Sequence, residues 1–141
     1  MTRLHFFNFS REDNKIIITM DSSLENIDKA ALFTKNFLLE KNLANLSFST
    51  CLVLREALTN AVRHANKYDL SKKIFFLVQV KENEIKITIE DQGAGFDWRK
   101  ALKKRPLIKS DHGRGFEIMK TYFTSVEFNE KGTIISLTKK F

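Results

Sequence analysis

The chain has 141 residues, of which 43% are hydrophobic and 29% are charged. This balance predicts one soluble domain over residues 1–141, large enough to bury a hydrophobic core without the support of disulfides or bound metals. The single cysteine, Cys51, excludes an intramolecular disulfide and a zinc cage of several cysteines. The longest apolar run, residues 74–78, is too short for a membrane span, and residues 1–8 do not form a signal-peptide core. We therefore expect a cytoplasmic protein with no membrane contact.

The net charge of +7, from 24 Lys and Arg against 17 Asp and Glu residues, is unevenly distributed. Basic proteins often bind nucleic acid, but here the basic residues concentrate between residues 99 and 114. A local cluster also suits a small polyanion such as a nucleotide, or an acidic protein. Composition alone leaves these three kinds of partner open.

The hydrophobic pattern predicts alternating groups of strands and helices. In chain order these are strands at residues 4–9 and 15–20, helices at 22–40 and 49–66, strands at 74–80 and 84–90, an irregular stretch at 91–112, a helix at 115–123, and strands at 126–128 and 133–138. Ser22 and Glu25 have the spacing of a helix capping box. Hairpin strands with helices between them predict an α+β fold, a two-layer α/β sandwich whose mixed, mainly antiparallel sheet is covered on one face by helices.

The glycines indicate where function should be sought. All five lie after residue 92, and four of them form two Gly-x-Gly pairs on either side of the basic cluster. Glycine is needed where the backbone takes a positive φ or where a ligand approaches it closely.

Three short motifs surround these glycines. On the second helix, Glu56 and Asn60 are four residues apart and share one face. An amide oxygen can ligate Mg²⁺ and a carboxylate can orient a nucleophile, although the same pair is also common on a solvated helix surface. After the strand at residues 84–90, Asp91 precedes Gly93 and Gly95. Its carboxylate can accept a hydrogen bond from the amino group of adenine, and an ordinary glycine turn is the alternative.

The third motif places Gly113 and Gly115 at the start of an apolar helix. Free backbone N–H groups at a helix N-terminus bind phosphate, although a lone Gly-x-Gly string often marks only a tight turn. Walker-type and Rossmann nucleotide-binding strings are absent from the chain.

Taken together and in this order, the three motifs resemble those of the Bergerat-type ATP-binding fold of histidine kinases, type II topoisomerases, mismatch-repair ATPases and Hsp90 chaperones. Within that superfamily the chain is most similar to the small anti-sigma-factor serine/threonine kinases, over residues 16–139. Two features depart from the pattern of that group. Phe116 replaces the usual leucine, and the segment between Gly95 and Gly113 is unusually basic.

The resemblance implies ATP and Mg²⁺ as cofactors and a role for each motif residue. Glu56 would be the general base, Asn60 the Mg²⁺ ligand and Asp91 the adenine contact. Thr133 would lie near the adenine. The remaining implied residues are glycines that shape the pocket: Gly93, Gly95, Gly113 and Gly115.

The implied function is phosphorylation of a small antagonist protein of the anti-anti-sigma (STAS) type, with partner switching that releases or holds a sigma factor or another effector. Direct nucleic-acid binding is not expected, and a homodimer is allowed. The alternative is an ATP-gated interaction module without phosphotransfer. His64, Cys51 and the 13 phenylalanines are interpreted as structural residues.

Overall fold

The structure of the protein, a computed structural model, describes residues 5–103 and 111–141, without the side chains of residues 101–103 and 111–114. In the described part, no helix is both long and apolar enough to cross a membrane. The elements are β1 (Phe7–Glu12), β2 (Lys15–Asp21), α1 (Leu24–Glu40), α2 (Ser47–Asn60), β3 (Lys73–Lys81), β4 (Glu84–Glu90), α3 (Trp98–Lys103), α4 (Asp111–Tyr122), β5 (Ser125–Phe128) and β6 (Ile134–Lys140).

The six strands form one sheet in the order β1-β2-β3-β4-β6-β5. All five pairings between neighbouring strands are antiparallel, so the described sheet contains no parallel pair and the expected mixed character is not observed. The predicted α+β class and the two-layer arrangement are confirmed. Because β4 and β6 are neighbours, the residues that follow β4 lie beside those that precede β6.

The core lies between one face of the sheet and the helices. Along β4, Ile85, Ile87 and Ile89 are buried and the residues between them are only partly covered, as the alternation predicts. The central helix is α2, which contacts α1 on one side and α4 on the other. Its side chains Leu54 and Leu58 are fully buried.

Two predictions about the N-terminal region are wrong. Strand β1 begins at Phe7 and continues to Glu12, because the turn that joins it to β2 is tighter than expected. Helix α1 begins at Leu24, and neither Ser22 nor its neighbour Ser23 makes the predicted side-chain cap. Instead, the Ser22 hydroxyl donates a hydrogen bond to the Lys72 carbonyl, 2.6 Å away.

The predicted second helix changes character after Asn60. Residues Ala61–Ala65 form a π-helical turn, which the Asn66 N–H closes by donating to the Ala61 carbonyl at 2.8 Å. Such turns are rare and are found frequently at functional sites. Here the turn lies on the helix that carries the Glu-x-x-x-Asn motif.

The segment between the two glycine pairs is more helical than expected. Helix α3 lies within the predicted irregular stretch, and α4 begins at Asp111, four residues before the predicted start at Gly115. Gly113 therefore belongs to the first helical turn, where backbone N–H groups have no intrahelical acceptor. Residues 104–110, which carry part of the basic cluster, lie outside the described residues.

The buried position of Leu58 predicts a large effect on stability. We expect Leu58→Ala to lower the free energy of unfolding by about 2–5 kcal/mol, because it leaves a cavity between α2 and the sheet. The matched control is Leu32→Ala on α1, where the side chain is 57% exposed and the expected change is within about 0.5 kcal/mol. Urea unfolding measures both, and equal losses would contradict this placement of the core.

Candidate nucleotide-binding site

A cavity of about 290 Å³ lies at the end of the sheet where β4 stops and β6 begins. Helices α2 and α4 and the loop after β4 enclose it. Four of the residues predicted for the site line it directly: Asn60, Asp91, Gly95 and Thr133. The Glu-x-x-x-Asn motif, the first glycine pair and the residue before β6 therefore contribute to one concave surface.

Helix α2 supplies one wall through Ala57, Asn60, Ala61 and His64. The Asn60 Nδ2 atom is buried and has no hydrogen-bond partner among the described residues. A buried polar atom left without a partner costs free energy, so this atom indicates that a ligand completes the site. His64, interpreted from the sequence as structural, also faces the cavity.

At Gly115 the helix α4 packs closely against α2. A Cβ atom at this position would lie 3.1 Å from Asn60 Nδ2 and 3.4 Å from Glu56 Oε2. The absence of a side chain therefore lets the backbone of α4 reach the Glu-x-x-x-Asn face. Glu56 does not line the cavity itself, but it lies at its border beside Gly115.

Asp91 lines the cavity directly after β4. Its N–H donates to the Thr133 carbonyl at 2.9 Å, which joins the ends of β4 and β6. The Gly93 N–H donates to Asp91 Oδ1 at 2.9 Å and orients the carboxylate. Partial burial raises the pKa of Asp91 above its ordinary value of 3.8; Glu90 raises it further, and the Gly93 N–H and Lys72 oppose the shift.

The loop that carries Gly93 and Gly95 packs against neighbouring backbone. A Cβ atom on Gly93 would lie 2.5 Å from the Ala65 carbonyl oxygen, so no larger residue fits there. Gly95 has a φ of +88°, which side chains rarely tolerate, and a Cβ atom would collide with the Lys131 carbonyl. The adjacent Phe96 N–H donates to that same carbonyl at 3.1 Å.

The Asn129 side chain holds the turn between β5 and β6. Its Oδ1 accepts hydrogen bonds from the N–H groups of Gly132, Thr133 and Ile134, at 2.8–3.0 Å. Its Nδ2 donates to the Thr133 hydroxyl at 2.9 Å. This clamp fixes Thr133 at the cavity, and sequence reasoning missed it because Asn129 resembles any turn asparagine.

Sequence reasoning also missed an aromatic wall. Phe96, Phe116 and Phe128 all line the cavity. The rings of Phe96 and Phe116 are parallel with centroids 6.1 Å apart, and both meet Phe128 edge-on. The sequence favours a structural role for the phenylalanines, and Phe116 stands out there only as a departure from the usual leucine.

A Mg²⁺-nucleotide is chemically compatible with these groups. In the described residues, no cluster of three or more His, Cys, Asp or Glu side chains could hold a metal alone. Mg²⁺ is usually bound by one or two protein oxygens together with phosphates and water, and Asn60 offers such an oxygen. Asn60 lines the cavity, which is where a ligand would meet it.

The raised pKa of Asp91 predicts a pH-dependent effect of its replacement. Ionising this carboxyl costs more free energy in the folded protein than in the unfolded chain. The folded protein is therefore not destabilised below the ordinary pKa of the carboxyl. The destabilisation grows as the pH rises from that value to the raised pKa of the folded state. We expect the stability of Asp91→Asn relative to the wild type to increase as the pH rises from below the ordinary pKa of 3.8 toward neutrality. Urea unfolding across this range measures the difference, with Glu82→Gln at an exposed turn as the control. A constant or falling difference would contradict the burial of Asp91.

Comparison with known proteins connects this geometry to a family. The histidine kinase-like ATPase domain family matches residues 20–139, which include all three motifs. The anti-sigma F factor of Clostridium perfringens strain 13 is 32% identical over 138 aligned residues, covering 91% of this chain and 97% of the relative. Those of Oceanobacillus iheyensis and Bacillus subtilis strain 168 are 34% and 32% identical, covering 62% of this chain and 65% and 64% of the relatives. The chain belongs to the histidine kinase-like ATPase domain family, in the group that contains the anti-sigma F factors, and its ATPase domain implies ATP binding.

Proposed function

We propose that residues 1–141 act as one Mg²⁺- and ATP-dependent serine/threonine protein kinase that controls an effector by partner switching. The single observation that carries this proposal is the contact at Gly115. There the carboxylate of Glu56 and the carboxamide of Asn60 meet the helix that carries the second glycine pair. A candidate base, a candidate Mg²⁺ ligand and the free N–H groups of a helix start are thereby brought together.

The adenine end of the site is assigned to Asp91 and Thr133. Adenine presents an amino donor, and a carboxylate is an acceptor when ionised. Thr133 lies beside Asp91 because their backbones are hydrogen-bonded. The apolar and aromatic lining, including Ile89, Met119 and Phe128, suits a flat base.

The phosphate end is assigned to Asn60, Gly113 and Gly115. ATP supplies the phosphoryl group, and Mg²⁺ neutralises charge on the phosphates when bound. Asn60 would hold the metal through its amide oxygen, and the N–H groups of the first turn of α4 would bind phosphate oxygens. Gly93 and Gly95 shape the loop beneath the base.

Glu56 acts as the general base. Its carboxylate takes the proton of the attacking serine or threonine hydroxyl, whose oxygen forms a bond to the γ-phosphorus. The bond from that phosphorus to the β–γ bridging oxygen breaks, and ADP leaves. Enzymes of this kind work chiefly by positioning and electrostatic stabilisation, which agrees with a site built from close backbone contacts.

The partners are inferred from the names of the relatives, which identify them as antagonists of a sigma factor. We assign the phosphorylated substrate to a small anti-anti-sigma protein of the STAS type and the effector to a sigma factor or another regulator. This system operates in the cytoplasm, does not contact nucleic acid directly and can involve a homodimer of the chain.

The direct test is transfer of labelled phosphate. The purified chain is incubated with γ-labelled Mg-ATP and an extract of its source cells, beside Glu56→Gln and Asp91→Asn. We expect wild type to label one small protein on serine or threonine, Glu56→Gln to bind ATP without transfer, and Asp91→Asn to bind no ATP. Glu82→Gln, the same chemical change at an exposed turn, should retain transfer.

Two outcomes would overturn parts of this assignment. Phosphate transfer that persists in the Glu56→Gln variant would show that Glu56 is not the general base. ATP binding without transfer by the wild type would favour the second candidate, an ATP-gated interaction module. One observation favours that second candidate: the relatives' names describe antagonism of a sigma factor and do not mention phosphotransfer. Nucleotide-dependent partner binding that persists in Glu56→Gln is its signature.

Gly115→Ala tests the contact between α2 and α4 separately from the fold. The added methyl group would press on Asn60 and Glu56, so we expect ATP affinity to fall at least about tenfold. Because alanine is favoured over glycine in a helix by about 1 kcal/mol, the melting temperature should not fall substantially. The control is Glu117→Ala at an exposed position of the same helix. Unchanged ATP affinity in Gly115→Ala would place the nucleotide elsewhere.

A further inference from the structure

Asn66 is a buried polar side chain whose amide nitrogen and oxygen both make hydrogen bonds. It is fully buried, with 0% relative exposure. Its Nδ2 atom donates to the Ser22 hydroxyl at 2.9 Å and to the Lys73 carbonyl at 3.2 Å. Its Oδ1 atom accepts a hydrogen bond from the Gln92 N–H at 3.0 Å.

These bonds join Asn66 to three other segments of the chain. Asn66 follows the π-helical turn and closes it through its own N–H. Ser22 lies between β2 and α1, Lys73 begins β3, and Gln92 follows β4. The Gln92 side chain reinforces the junction, because its Oε1 accepts from the Lys73 N–H at 2.6 Å.

The bond to Gln92 acts on the peptide that follows Asp91. The Gln92 N–H belongs to the Asp91–Gln92 peptide bond, so its orientation constrains the backbone of Asp91. One residue on, Gly93 rests against the Ala65 carbonyl and donates to Asp91 Oδ1. Asn66 therefore fixes the Asp91–Gln92 peptide by a hydrogen bond. Ala65 packs against Gly93, whose N–H orients the carboxylate. Both residues lie at the end of the π-helical turn.

We infer that Asn66 is a positioning residue that sets base selectivity. It holds the Asp91 carboxylate in the direction in which the carboxylate accepts a hydrogen bond from the amino group of adenine. This rests on the proposed function, in which Asp91 contacts adenine. Asn66 does not line the cavity, so it acts only through the loop. A loop without this anchor would still offer a carboxylate, but with no fixed direction, and selectivity depends on direction.

The readout is the ratio of dissociation constants for inosine triphosphate and ATP, measured by titration calorimetry with Mg²⁺. Inosine carries an oxygen in place of the amino group and keeps the same triphosphate. We expect wild type to prefer ATP at least about tenfold, and Asn66→Ala to bring the ratio close to one while binding inosine triphosphate much as before.

Ser22→Ala is the matched control. It removes one partner of the Asn66 amide but leaves the bond from Gln92 in place. A general loosening of this junction would lower the melting temperature in both variants and weaken both nucleotides equally. We expect Ser22→Ala to lose thermal stability and to keep the wild-type ratio.

Amide hydrogen exchange of the wild type provides a test that needs no variant, in case Asn66→Ala does not fold. The Gln92 N–H should exchange far more slowly than in an unstructured peptide, since its partner is fully buried. Exchange at the unstructured rate would overturn the inference, as would a wild-type nucleotide ratio in folded Asn66→Ala. A wild type without ATP preference would instead overturn the role of Asp91 in the proposed function and the inference with it.

Discussion

The close approach of α4 to α2 at Gly115 is the constraint on which the rest of the site depends. Two helices normally keep their axes apart because side chains fill the space between them. A hydrogen atom in place of a side chain lets the α4 backbone lie against Glu56 and Asn60. The next turn of α4 then brings Phe116 and Met119 onto the cavity wall. Gly115 thus allows both the polar contact of α4 with Glu56 and Asn60 and the placement of the apolar side chains Phe116 and Met119 at the cavity.

The sheet supplies the other fixed frame. Antiparallel pairing of β4 with β6 brings the end of one strand beside the start of the other, and the bond from Asp91 to Thr133 extends that pairing by one step. Buried isoleucines on β4 anchor this edge to the core. A polar site is therefore supported by an apolar layer that leaves its strand ends little freedom to move.

Much of this arrangement could be predicted from the sequence. Strand β4 was predicted with correct bounds because its strict alternation has no helical interpretation. That the three motifs belong to one site was implied by the resemblance of their order to the Bergerat-type fold. Asn60, Asp91 and Thr133, which the sequence and the resemblance select, line one cavity, and their roles there stay predictions.

The rest depends on tertiary contacts that a single sequence does not encode locally. The π-helical turn has the same composition as an α-helix, so only its hydrogen bonds distinguish it. Ser22 fits a capping box by spacing, yet its hydroxyl bonds Lys72, 50 residues away. The same holds for Asn66, whose polar partners come from four separate parts of the chain, including its own turn.

The aromatic wall has an optical consequence. Trp98, the only tryptophan of the chain, stacks on Phe128 with ring centroids 5.6 Å apart, and its indole N–H donates to the Glu130 carbonyl at 3.2 Å. Phe128 also lines the cavity. The single indole is therefore one ring removed from whatever occupies the cavity, and its emission gives the molecule a built-in, label-free reporter of that wall.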